Sequence, residues 1–184
     1  DHAVALLLAL TRRICDAVPT TRDGAWGRDW GLTRGYFESV RRVAGHTVGI
    51  VGFGRIGRMV CAKARAFGLE VLASDPFVSA KAVAQEGGTL VDIDTLLQES
   101  DFVSLHSPLN DDTRNMIGSR EFTLMKPDSF LINCARGPLI DENALYDALS
   151  NRQISGAGLD VMVDTEPSPD TPLFKLDNLL VTPH

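Results

Sequence analysis

The stretch that most constrains this chain is Thr47-Val48-Gly49-Ile50-Val51-Gly52-Phe53-Gly54-Arg55-Ile56-Gly57-Arg58. It runs from an apolar, β-prone segment into a Gly-x-Gly-x-x-Gly turn and on into the helix-prone Met59–Phe67. A strand, a tight turn and a helix in that order form a dinucleotide-binding unit. Each glycine has its own task. Gly52 lets the chain turn sharply off the strand, Gly54 removes the Cβ that would keep a pyrophosphate from the backbone, and Gly57 lets helix and strand pack closely. The helix that follows aims its unpaired amides and positive dipole end at the phosphates. Arg55 and Ile56 lie in its first turn, with Arg55 expected near the pyrophosphate and Arg58 on an exposed helix face.

A second apolar run, Glu70-Val71-Leu72-Ala73-Ser74, ends in Asp75. That acid follows Gly57 at close to the roughly 20-residue offset of a carboxylate that takes the ribose hydroxyls. A carboxylate there accepts hydrogen bonds from a 2′-hydroxyl and repels a 2′-phosphate, so the expected cofactor is NAD rather than NADP.

With 184 residues, 44% of them hydrophobic, the chain can bury one good core. A net charge of −6 argues against nucleic acid or an anionic membrane surface as the main partner. Cys15, Cys61 and Cys134 are odd in number and far apart, so neither a disulfide framework nor a metal site is indicated, and a reducing cytoplasm fits best. The apolar run Ala3–Leu10 is too short to span a bilayer and leads into Arg12 and Arg13, which reads as an amphipathic helix. The absence of an initiator Met and the stop at His184 lead us to expect an excised piece of a longer protein.

Along the chain, His2–Val18 reads as a helix ended by Pro19. A polar, glycine-rich arm from Thr20 to Val43 carries Trp26, Trp30, Tyr36 and Phe37. Those aromatics either fold back onto their own core or anchor in a partner subunit. Helical patches are expected at Ser79–Glu86, Asp94–Glu99 and Ser119–Met125, with Ser119 as N-cap of the last, and Asp141 should cap a further helix. Strands are expected at Phe102–His106, Phe130–Cys134, Gly156–Val161 and Leu179–Val181. Strands alternating with helices at this pitch argue for a doubly wound parallel α/β sheet of Rossmann type, in three α/β/α layers. Ligand contacts should then cluster at the carboxyl ends of the strands, where His106-Ser107-Pro108 sits.

Arg136, Glu166 and His184 each lie just past a strand, at what should be one edge of the sheet. Alone, each has an ordinary structural explanation. Together they suit hydride transfer to or from a nicotinamide, which also moves one proton. A histidine can carry that proton near neutral pH, a glutamate beside it favours the imidazolium, and an arginine can clamp a carboxylate while polarising the adjacent carbonyl.

Six segments in order complete the pattern: Gly52-Phe53-Gly54-Arg55-Ile56-Gly57, His106-Ser107-Pro108-Leu109 with Thr113, Asn133-Cys134-Ala135-Arg136-Gly137, Gly158-Leu159-Asp160-Val161, Glu166-Pro167 and Thr182-Pro183-His184. Together they resemble the D-isomer-specific 2-hydroxyacid dehydrogenases, the 3-phosphoglycerate dehydrogenase group among them, over nearly the whole chain. The resemblance implies that Arg136 holds the substrate carboxylate, His184 is the acid–base residue and Glu166 is its partner. It implies that Asp160 meets the nicotinamide carboxamide, and that Ser107, Pro108, Cys134 and Ala135, and by a weaker match Thr113, line the cofactor cleft; His106 joins them by its place at the carboxyl end of its strand. The loop Val161–Thr165 is slightly longer than in many members of the family, which sets Asp164 beside Glu166 as a competing partner, although Pro167 favours Glu166.

By this resemblance residues 1–184 form one NAD-binding domain whose flanking substrate domain is absent. The domain is expected to build a homodimer, which tips the aromatic arm toward a subunit contact. The implied activity interconverts a D-2-hydroxy acid and a 2-oxo acid, with phosphoglycerate, glyoxylate, hydroxypyruvate and bulkier acids all open. The competing reading is a non-catalytic NAD sensor of the same fold, similar to a corepressor.

Overall fold

The computed structural model describes the backbone of all 184 residues and every side chain except those at positions 25, 27, 32, 33 and 37. Four helices come first: α1 (His2–Thr11), α2 (Ile14–Arg22), α3 (Ala25–Arg28) and α4 (Trp30–Ser39). Strands and helices then alternate as β1 (Thr47–Val51), α5 (Arg55–Ala66), β2 (Glu70–Ser74), α6 (Ala80–Gln85), β3 (Thr89–Leu90), α7 (Ile93–Glu99) and β4 (Phe102–Leu105). The chain closes with α8 (Ser119–Leu124), β5 (Phe130–Asn133), α9 (Glu142–Ser150), β6 (Gly156–Leu159) and β7 (Leu179–Val181). All seven strands pair in parallel in the order β3-β2-β1-β4-β5-β6-β7. The order reverses between β1 and β4, which makes the carboxyl ends of those two strands the switch point of a doubly wound sheet.

Strand periodicity sorts the core into two layers. Val48 and Ile50 of β1, Ala73 of β2, Phe102 of β4 and Ile132 of β5 pack under Leu6 and Leu7 of α1, Val60 and Ala64 of α5 and Val83 of α6. Val51, Val103, Leu105, Leu131, Ala157 and Leu159 meet Leu96 and Leu97 of α7, Phe122 of α8 and Leu145 and Leu149 of α9. Burial on both faces explains why the strands read as continuous apolar runs rather than as alternating ones. The expected three-layer architecture is the one observed.

Local details differ from expectation where polar bonding outweighs the hydrophobic pattern. The first helix breaks at Arg13, which adopts a left-handed turn with φ 48°, and Pro19 lies inside α2 instead of ending a longer helix. No residue of α2 is buried. Water can therefore take the place of the one hydrogen bond that Pro19 lacks, while the Pro19 carbonyl still accepts the Asp23 N–H at 2.9 Å.

The arm holds the end of α2 and the two helices α3 and α4, and is not an irregular loop. Local contacts hold it: Thr20 Oγ1 donates to Asp16 O, Arg28 to Gly24 O and Asp23 O, and Arg34 pairs with Glu38 one turn on. Such bonds leave no apolar periodicity to read. Trp26 and Trp30 do not fold back, each being 71% exposed, whereas the Tyr36 hydroxyl donates to Arg12 O at 2.9 Å. The side chain of Phe37 lies outside the described residues.

Gly118, not Ser119, is the N-cap of α8, because Glu121 Oε2 reaches back to accept the Gly118 N–H at 3.0 Å. The strands stop one residue short at Leu105 and Asn133 and two short at Leu159. The residues just past β4 and β6 still donate to the neighbouring strands, His106 to Val51 O and Asp160 to Asn133 O, before the chain enters the loops of the clefts. The two-residue β3 is an edge strand too short to have left a pattern.

The amino ends of the central strands β1 and β4, away from the cleft, are tied by Asp101. One carboxylate oxygen accepts the Thr47 N–H at 2.7 Å and the other accepts Lys126 Nζ at 2.9 Å, with His46 Nδ1 at 3.3 Å. Burial pushes the Asp101 carboxyl up, but the Thr47 amide, the Lys126 ammonium and His46 outweigh it and hold the pKa below the usual carboxylate range. Replacing Asp101 with Ala should lower the unfolding free energy by about 1–3 kcal/mol, because it orphans an amide and an ammonium together. Asp128→Ala, which removes an exposed pairing with Arg41, should cost no more than about 0.5 kcal/mol. Urea denaturation of both variants checks this, and equal losses would contradict it.

Candidate active site

The β1–α5 turn is built by close backbone contacts. Gly52 has φ +90°, and a Cβ there would lie 2.7 Å from the Ser107 amide nitrogen just past β4. A Cβ on Gly57 would collide with the Gly52 carbonyl oxygen. Both positions therefore need glycine, for the turn and for the seating of α5 on it. Gly54 differs, since its Cβ would meet nothing within 4 Å. Its missing side chain leaves an open approach to the first turn of α5, where Arg55 and Ile56 are exposed and no side chain caps the helix. Arg58 turns away from that opening, its guanidinium 5.8 Å over the Phe53 ring and 3.6 Å from Glu86.

Asp75 closes the far side of this turn. Its Oδ2 accepts the Phe53 N–H at 2.7 Å and its Oδ1 the Phe77 N–H at 2.8 Å, so the carboxylate is fixed at the mouth of a cleft of about 1190 Å³. Gly52, Gly54, Asp75, His106, Ser107, Pro108 and Thr113 all line that cleft. Thr113 acts through the loop, because its hydroxyl donates to Pro108 O at 2.7 Å and accepts the Asn110 N–H at 2.9 Å. His106 is half-buried beside Ser104, with Nε2 2.9 Å from the hydroxyl. Burial lowers its pKa to about 4, so the imidazole is neutral at pH 7. An open glycine cradle, a free helix start and a fixed carboxylate at the second strand fit a dinucleotide.

A second cleft, of about 800 Å³, opens along the same edge at the ends of β5, β6 and β7. Arg136, Asp160 and His184 line it. Asn133, fully buried, shapes the loop that carries Arg136: its Nδ2 donates to Arg136 O at 2.9 Å and its Oδ1 accepts the Ala135 N–H at 3.0 Å. Gly137 lets the Met162–Val163 backbone pass so closely that any Cβ would collide with it. Cys134 sits half-buried at the end of β5, and burial, with the Asp160 charge, pushes its thiol up to about 12. It stays protonated and unreactive at neutral pH.

Glu166 is the one member of the expected trio whose side chain does not line the cleft, although Asp164, Thr165 and Pro167 do. Its backbone N–H donates to Asp164 Oδ1 at 3.0 Å, and among the described residues no hydrogen bond or ion pair joins Glu166 to His184. Asp164 likewise makes no hydrogen bond or ion pair to His184 among the described residues, its Oδ1 accepting the Glu166 N–H instead.

Sequence reading passed over three residues at this edge. Asn133 was signalled by a polar amide ending an apolar strand. Phe77, 91% exposed on the wall of the first cleft, was signalled only by its place after Asp75. Thr182, whose hydroxyl donates to Asp160 Oδ1 at 2.6 Å, gave no signal beyond its motif.

Residues 4–184 match the family model described as D-isomer specific 2-hydroxyacid dehydrogenase, NAD binding domain. The chain is 41% identical over 184 residues to a D-3-phosphoglycerate dehydrogenase of Archaeoglobus fulgidus, covering 100% of this chain and 34% of that protein. It is 44% identical over 189 residues to a glyoxylate reductase of Thermococcus litoralis, covering 100% of this chain and 55% of that one. Among solved structures, D-lactate dehydrogenase of Aquifex aeolicus complexed with NAD and lactic acid superposes with a TM-score of 0.87 at 32% identity, over 99% of this chain and 57% of that one. The chain thus spans between a third and just over half of the length of these relatives.

Two glycine substitutions separate binding from folding. Gly54→Ala should cost about 1 kcal/mol of stability or less, the scale of a changed N-cap, while weakening NADH binding about tenfold or more through the blocked approach to the helix start. Gly57→Ala should instead destabilise by about 2–4 kcal/mol, since the Gly52 carbonyl must move. NADH fluorescence titration and thermal unfolding of the two variants check this. Unchanged affinity in Gly54→Ala would contradict it.

Proposed function

We propose that this chain, which belongs to the D-isomer-specific 2-hydroxyacid dehydrogenase family and is an NAD-binding domain of that family, forms the cofactor half of an enzyme interconverting a D-2-hydroxy acid and a 2-oxo acid. The observation that carries this reading is the shared wall of Arg136, Asp160 and His184, on the sheet edge that also bears the Gly52–Asp75 cleft. Bound NAD supplies the hydride acceptor; all else is done by side chains and backbone.

The amides at the start of α5 hold the pyrophosphate, and Asp75 takes the ribose hydroxyls and disfavours a 2′-phosphate. His106, Ser107, Pro108 and Thr113 wall the dinucleotide cleft, and Cys134 and Ala135 carry that wall toward the nicotinamide. The neutral state of His106 adds no charge there. Asp160 receives the nicotinamide carboxamide.

Arg136 clamps the substrate carboxylate and draws charge from the neighbouring carbonyl. His184 takes the hydroxyl proton in oxidation and returns it in reduction. Glu166, whose side chain lies off the cleft in this domain, is the residue we assign to orient that imidazole in the complete enzyme. The residues that complete the substrate pocket belong to a second domain, so we expect residues 1–184 alone to bind cofactor without turning substrate over.

The exposed Trp26 and Trp30 suit a homodimer formed through this domain, by docking in a second copy. A cytoplasmic location suits its three free cysteines. No helix among the described residues is long and apolar enough to cross a membrane.

The test is a panel of 2-oxo acids with the full-length protein, followed by NADH absorbance. Turnover is expected with at least one acid, and His184→Ala should lower kcat by ~10²–10⁴ while NADH still binds. Turnover undiminished in that variant would overturn the assignment of His184. NAD-dependent association with no turnover of any acid would favour the sensor reading instead.

A further inference from the structure

Three segments distant in sequence meet behind the second cleft: the start of α1, the residue after β6 and the residue after β7. His2 Nε2 lies 2.8 Å from Thr182 Oγ1 and 3.2 Å from Asp160 Oδ1. The Thr182 hydroxyl is 2.6 Å from the same Asp160 oxygen. A threonine hydroxyl has one hydrogen, and an ionised carboxylate can only accept. That hydrogen therefore goes to Asp160, and the Thr182 oxygen must accept from His2. The proton on His2 is thereby assigned to Nε2.

This arrangement has two consequences at the cleft. Asp160 Oδ1 is occupied by Thr182 and His2, while Oδ2 has no partner among the described residues, on a side chain only 18% exposed that lines the cleft. Thr182 is also anchored on both sides by its backbone, its N–H donating to Leu159 O at 2.9 Å and its carbonyl accepting the His184 N–H at 3.0 Å. The start of α1 is held in turn by Leu6 and Leu7, buried against the sheet, and by packing of the helix over β5 and β6.

We propose that His2 is a positioning residue for the nicotinamide end of the site: its Nε2–H locks the Thr182 hydroxyl onto Asp160 Oδ1, so that Asp160 presents Oδ2 to the carboxamide and Thr182 fixes the turn that carries His184. The inference rests on the reading of Asp160 as the carboxamide's partner. His2 is 49% exposed and reaches the cofactor only through Thr182 and Asp160, so its removal perturbs orientation rather than the core.

The test compares NADH with ADP-ribose, which has every part of the cofactor except the nicotinamide, in calorimetric titrations of the full-length protein. His2→Ala should raise the NADH dissociation constant ~3–10-fold, the scale of one lost hydrogen bond, and leave that of ADP-ribose within about twofold. His2→Gln, which keeps a donor near the place of Nε2, should restore NADH binding. Loss of affinity for both ligands alike, loss for neither, or failure of His2→Gln to restore binding would overturn the proposal. Asp160→Asn, titrated in parallel, separates it from the reading beneath it. If Asp160→Asn weakens NADH but His2→Ala does not, only the role of His2 falls; if Asp160→Asn leaves NADH binding intact, the assignment of Asp160 falls and takes His2 with it.

Discussion

Backbone meeting backbone at the switch point is the constraint on which this structure depends. The Gly52 carbonyl lies where a Cβ of Gly57 would be, and Gly52 itself sits against the peptide between His106 and Ser107. The contacts bring the start of α5, the end of β1 and the end of β4 together without intervening side chains. The His106 N–H donates to Val51 O at 2.7 Å and the Gly52 N–H to Ser74 O at 2.9 Å, so the ladder continues to the lip of the cleft. A hydrogen-bonded lip of this kind is rigid, and rigidity there serves a ligand bound largely by backbone amides.

From that lip the electrostatics are laid out along the sheet edge. Asp75 stands at β2, the unpaired helix start at β1, a neutral His106 at β4, a protonated Cys134 at β5, Asp160 at β6 and His184 beyond β7. Burial keeps both His106 and Cys134 uncharged at neutral pH. Asp75, Arg136, Asp160 and His184 are the groups at this edge to which the proposed chemistry gives a task, while Asp92, Asp112, Glu121 and Asp164 also line the two clefts.

How much of this was legible in the sequence depends on the range of the interaction. The Gly-x-Gly-x-x-Gly turn, the Asp75 strand and the Asp141 cap are written in neighbouring residues, and the structure places them as read. The helical arm was illegible because i to i+4 polar bonds such as Arg34–Glu38 leave no apolar stripe, and the α8 cap because Glu121 supplies it from inside the helix. The break at Arg13 follows the loss of burial beyond Thr11, which a run of helix-forming residues does not announce. The His2–Thr182–Asp160 contact joins the two ends of the chain, and only the fold brings them together. Glu166 shows the opposite limit: its motif singled it out, while its side chain in this domain lies off the cleft.

The account stands on the dinucleotide lying along the carboxyl edge from Asp75 to Asp160. The most direct measurement is a crystal structure of the full-length protein with NADH and a 2-oxo acid bound. The account predicts the adenosine ribose at Asp75, the pyrophosphate over Gly54, and the nicotinamide between Asp160 and His184 with Arg136 on the substrate carboxylate. A dinucleotide bound elsewhere, or a His184 imidazole turned away from the closed site, would contradict it.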